Sequence, residues 1–251
     1  MKKLSFSMLM FVLLGGIFFA SPSFAEQNDY KVLFEKEEIK DEETLYKRAI
    51  QGISDVNSNE KEIKNEAKLQ GKSKSIPINV HQTTELLKRV KKGDEIIETY
   101  KVHAFVDISP EDMSIAASGS KPKTDWDPSG GVKASSNWYY TTSTISGTTH
   151  IDQTGSASGS WTVYDYGTTL SNKRYVLGQY GPSKAGCGTC NDTVNGNVSG
   201  YSFSKAVPTT SWVPVSASTY TSIGVSMYAT VSKGSESWNF SFYNNSNGSG
   251  L

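Results

Sequence analysis

Apolar and polar positions alternate with a period of two along much of the chain, most clearly at residues 95–108. There Tyr100, Val102, Ala104, Val106 and Ile108 interleave with Lys101, His103, Phe105 and Asp107. Successive side chains of a strand point to opposite faces, so this run predicts a strand with one mainly apolar face. Residues 80–90 are extended in character and Lys91-Lys92-Gly93-Asp94 supplies a turn, so the two runs read as a β-hairpin. Residues 109–131 read as a polar connector. Short alternating runs then recur at 160–166, 175–180, 201–207, 223–231 and 238–242 among Ser, Thr, Asn and Gly. Turn signals every eight to twelve residues or so predict an antiparallel β-sandwich, or a barrel-like relative of it. The inward positions name a core: Trp161, Val163, Val225, Met227, Val231, Trp238, Phe240 and Phe242. Cutting any of these to Ala should cost about 2–5 kcal/mol.

The pattern differs before residue 78. Leu45, Ala49 and Ile53 recur at helical spacing behind Asp41, a good N-cap, and predict a short helix over 42–53. Residues 58–69 carry too thin an apolar face for more than a marginal helix, and Gly71-Lys72-Ser73-Lys74-Ser75 reads as a linker. Residues 26–77 are therefore expected to form a charged prefix, partly helical or disordered, which a pro-segment would also resemble. The β-sandwich is expected to occupy 78–251. Residues 1–25 read as a cleavable signal peptide: Lys2 and Lys3, an apolar run over 8–20, Pro22, then small residues at Ser23 and Ala25. The run is shorter than the roughly 20 residues a membrane span needs. Export from a bacterial cell is the expectation, with no integral membrane association.

Composition sharpens this division. The whole chain carries 25 basic and 25 acidic side chains. A balance so close to neutral gives no reason to expect nucleic acid as a partner. Charge is concentrated before residue 116, while all five Trp and most of the Tyr and Gly follow it.

The layout of a signal, a charged prefix and a Ser/Thr/Tyr-rich β region resembles that of exported β-rich proteins of Gram-positive bacteria. The resemblance implies nothing about activity.

Candidate chemistry is sparse. Cys187 and Cys190 are the only cysteines. An oxidising compartment favours a structural disulfide between them. A redox-active pair would need a helix start that the flanking Gly, Ser and Asn do not offer, and zinc would need two further ligands. His103 is expected to be exposed on a strand's polar face. His150 and Asp152 could orient a base for a serine, but no nucleophile-elbow motif accompanies them. Asp125 and Asp127 read as a solvated loop. No cofactor motif is present. The aromatic content is more suggestive. Trp138-Tyr139-Tyr140 sets neighbouring rings on opposite faces, and Tyr164, Tyr166 and Tyr228 fall on outer positions. Tyrosine has an apolar body and a polar tip, so such rings could stack on sugars, or simply pair across strands. The expected function is that of an exported, non-enzymatic module that binds cell-wall or other glycan material through Trp138, Tyr139, Tyr140, Tyr164 and Tyr166. A bacteriocin-like antagonist and a hydrolase assembled only in the fold are the alternatives.

Overall fold

The computed structural model describes residues 30–56, 63–118, 131–145, 147–183, 187–218, 220–248 and 251. The expected signal peptide, Asp125 and Asp127 lie outside the described residues. In chain order the elements are β1 (Tyr30–Glu35), α1 (Glu42–Ile50), β2 (Glu66–Gln70), β3 (Ser75–Ile78), β4 (Val80–Lys92), β5 (Glu95–Ile108) and α2 (Pro110–Ser118). There follow β6 (Val132–Ile145), β7 (Thr148–Val163), β8 (Thr168–Ser183), β9 (Gly188–Asn197), β10 (Ser202–Ala206), β11 (Val215–Ser216), β12 (Ser222–Lys233) and β13 (Glu236–Asn245).

The strands form two antiparallel sheets packed face to face, an all-β sandwich. One sheet has the order β1-β4-β5-β6-β7-β10, with β11 also on β7; the other has β3-β2-β13-β12-β8-β9. The hairpin expected around residue 93 is present: Lys92 pairs with Glu95, and Gly93 takes φ +60° in the turn. The inner faces meet in one core that includes Trp161, Val225, Met227, Val231, Trp238, Phe240 and Phe242, with Val163 packed partly buried against it.

Polar side chains stitch the layers together. The buried Asn244 accepts from Nε1 of Trp138 at 3.1 Å and donates to the carbonyl and hydroxyl oxygens of Ser136. Gln179 accepts from the Gln153 backbone at 2.9 Å and donates to the Val213 carbonyl at 2.8 Å. Such groups are tolerated inside because each is paired; a partner left alone would cost about 1–3 kcal/mol. Asn244 and Asn245 thus end the central strand β13 fully buried. Gly224 beside them has φ +143°, and a Cβ there would stand 2.4 Å from the Asn244 carbonyl oxygen, so only glycine fits.

Three local expectations change. Residues 66–78 are a β-hairpin on the edge of β13, where marginal helix and linker were expected. Ala67, Leu69, Ile76 and Ile78 alternate inward, a period-two pattern too short to outweigh the surrounding lysines when read alone. Residues 110–118, expected as connector, form α2. Its capping box was legible: the Ser109 hydroxyl accepts from the Asp112 backbone N–H, Asp112 reaches back to the Ser109 N–H, and Pro110 occupies the first helical position. His103 is not exposed. β5 lies inside its sheet, α1 covers its outer face, and His103 retains 4% of its surface.

Candidate functional site

Two residues of the aromatic set expected to bind ligand are core residues. Trp138 and Tyr140 share the inner face of β6; Trp138 is 1% exposed, and Tyr140 stacks on Tyr100 with ring centroids 4.9 Å apart. Tyr139 points outward but is half-covered by the N-terminal segment. Its hydroxyl donates to Glu38 at 2.6 Å, and Lys101 lies 4.7 Å from its ring centroid. Burial, then Glu38, pushes the Tyr139 hydroxyl pKa well up. Tyr228 is half-buried, beneath Arg174 and edge-on to Tyr243, which is the cross-strand pairing a sheet uses for stability.

Tyr164 and Tyr166 differ from these. They sit just beyond β7, 59% and 100% exposed, on either side of Asp165. The turn that carries them is fixed. Tyr164 N–H donates to the Gly131 carbonyl at 2.9 Å, and Asp165 accepts from Lys233 at 2.5 Å and from the Thr168 hydroxyl at 2.8 Å. Lys233 accordingly holds the Asp165 carboxyl below its ordinary range. Gly167 completes the turn at φ +88°.

A third ring extends this surface. Tyr46, on α1, donates to Asp107 at 2.5 Å and lies under Lys133, 4.3 Å from its ring centroid. Burial, then Asp107 and more weakly Tyr164, raises the Tyr46 hydroxyl to about 12. The register explains the grouping. Asp107 pairs with Lys133 and Lys133 with Thr162, so their side chains share one face, and Tyr164 continues it two residues on. Tyr46, Asp107, Lys133 and Tyr164 thus converge at one end of the sandwich, and Tyr166 stands exposed on the adjoining turn. Sequence reasoning missed Tyr46, Asp107 and Lys133 because nothing local links an N-terminal helix to these strands.

A second polar cluster lies between the N-terminal segment and the same sheet. Glu85 is fully buried and accepts from His103 Nε2 at 3.1 Å and from Ile39 N–H at 3.2 Å. Burial lowers the His103 pKa against the opposing pull of Glu85. Burial works to raise Glu85, but the His103 and Ile39 hydrogen bonds and nearby positive charge outweigh it, so its pKa falls. At neutral pH the pair is a carboxylate accepting from a neutral imidazole. Glu38 bonds Lys101 at 2.5 Å, and Asp55 ties Lys36 to Arg48. Apart from His103–Glu85, which lies within the sheet, these contacts join residues 36–55 to the sheet or to each other, and a cavity of about 120 Å³ beside His103 and Asn137 remains between them. The chemistry is that of a latch.

His150 and Asp152 share one face of β7, with Ser143 and Ser216 opposite His150 in the register. His150 Nδ1 and Asp152 Oδ1 are both buried without a partner, so these atoms form no His–Asp couple. Burial raises the Asp152 pKa to about 6, with Gln179 opposing and Asp192 adding to it. Cys187 and Cys190 are joined as a disulfide across the β8–β9 turn, with Cα atoms 5.5 Å apart.

No family model, curated protein or solved structure matches this chain. Among the described residues no helix is long and apolar enough to cross a membrane.

Proposed function

We propose that the protein is an exported, non-enzymatic bacterial module that binds polysaccharide of the cell envelope through the surface formed by Tyr46, Tyr164 and Tyr166. The observation that carries this reading is the exposure of Tyr164 and Tyr166 on a turn that is itself immobilised by Asp165. The hydrogen bonds of Asp165 and of the Tyr164 N–H order the backbone that carries these rings, so stacking on a sugar face costs little backbone freedom. Asp107, Lys133 and Thr162 beside them supply acceptors and donors for hydroxyl groups.

Co-sedimentation of residues 26–251 with isolated cell walls and insoluble polysaccharides, at low and high salt, tests the reading. Binding should persist in high salt, because stacking is not screened as ion pairs are. The double variant Tyr164→Ala, Tyr166→Ala should lose about tenfold or more in affinity. Its thermal stability should match the parent's, since neither ring is buried. Absence of binding to any of these materials would overturn the reading.

A further inference from the structure

Among the described residues, β1 and β10 end one sheet and β3 and β9 end the other. An edge strand offers unpaired backbone N–H and C=O groups to any second strand, and proteins blunt most edges against it. β3 has four residues and contains Pro77, β10 presents Ser202, Ser204 and Lys205, and β9 is mostly Asn, Asp, Thr and Gly. β1 is different. Its sequence is Tyr-Lys-Val-Leu-Phe-Glu, all six residues are exposed, and Tyr30, Val32, Leu33 and Phe34 keep 39–53% of their surface. Farther along the same side of the sheet the chain covers β4 itself. Asp55 N–H donates to the Thr84 carbonyl, and the Asp55 carboxylate accepts from Leu86 N–H. Two features of β1 restrict what can pair with it. A bulge falls between Val32 and Phe34. Lys31, already opposite Lys91 of β4, repels any strand that does not bring an acid to it.

We propose that the strand that pairs with β1 is β1 of a second copy of this chain, antiparallel about a two-fold axis at Leu33, so that two sheets join into one. Pairing about that residue sets Lys31 opposite Glu35 of the second copy, Val32 opposite Phe34, Leu33 opposite itself and Tyr30 opposite Lys36. Opposite charges and apolar pairs therefore match, each twice. Moving the axis half a residue either way sets Lys31 against Phe34 or against Lys36, so the charges select one register. The bulge falls on the axis, clear of both charged pairs. Glu35 holds Lys88 of its own chain at 3.0 Å and so stands between two lysines in the pair. The inference goes beyond the glycan reading and does not depend on it.

Sedimentation equilibrium of residues 26–251 should show monomers and dimers with a dissociation constant of roughly micromolar order, as befits a small interface. Lys31→Glu sets acid against acid and Glu35→Lys sets base against base, so each alone should weaken dimerisation about tenfold or more. Mixed in equal amounts, the two variants restore both charged pairs and should form a heterodimer about as tight as the parent's homodimer. Leu33→Cys, on the axis, should cross-link to itself in a glutathione redox buffer, whereas Tyr30→Cys, far from its own copy, should not. A parent that stays monomeric up to about 1 mM overturns the proposal and leaves this edge to a strand from another protein. A dimer that both charge variants retain overturns it as well, as does a mixture that stays monomeric together with a Leu33→Cys variant that does not cross-link.

Discussion

At the scale of single residues, burial separates packing aromatics from surface ones. Trp138 fills the space between the sheets and spends its indole N–H on Asn244. Trp138→Ala should therefore cost about 3–5 kcal/mol and be seen as a lowered midpoint in denaturant. Sequence reading placed this ring on a ligand-binding surface, and its position on the inner face of β6 reverses that expectation. Tyr166→Ala should change stability by no more than about 0.5 kcal/mol. Asp152 gives a test through pH. Its folded pKa, about 6, lies above the unfolded value near 3.8, so the fold favours the protonated form, and stability from this group is lost as pH rises through 6. Asp152→Asn should raise the melting temperature at pH 8 and have little effect at pH 4. An equal shift at both would show that the carboxyl's charge is not what matters.

At the scale of elements, the N-terminal segment depends on caps and a buried polar latch. Asp41 caps α1 by accepting from the Thr44 N–H at 2.8 Å, so Asp41→Ala should cost about 1 kcal/mol. His103, Glu85, Glu38 and Asp55 all have folded pKa values below their ordinary ones. For each, the unfolded chain takes up its proton first, so stability falls as pH drops, first below about 6.5 for the histidine and then below about 4.5 for the acids. Lys101 and Glu38 also face the imidazole; Lys101 reinforces its neutral state and Glu38 opposes it. Protection of the Ile39 amide, whose N–H bonds Glu85, taken relative to its intrinsic exchange rate, should fall between pH 7 and pH 5 ahead of protection in β12. Uniform exchange across both would contradict a local latch. The same elements show what sequence could reveal. The β4–β5 hairpin, β12 and β13 were legible because their alternation runs over many residues. His103 was assigned to solvent because a strand's outer face looks polar until one knows that Leu45 and Ala49, more than fifty residues earlier, lie over the neighbouring Phe105.

At the scale of the whole molecule, two sheets place the proposed binding surface at one end. Register aligns Asp107, Lys133, Thr162 and Tyr164 on one face, and the Asp165–Lys233 pair joins that face to the second sheet's last turn. Tyr164 and Tyr166 were readable as exposed tyrosines, whereas their neighbours belong to segments far away in the chain. The central claim is that this composite surface meets glycan. It is tested most directly by titrating ¹⁵N-labelled residues 26–251 with soluble oligosaccharides released from cell walls and following amide shifts. The account predicts saturable shifts confined to Tyr46, Lys133 and residues 162–168, with the β8–β9 turn unmoved. Shifts centred elsewhere, or none at saturating sugar, would contradict it.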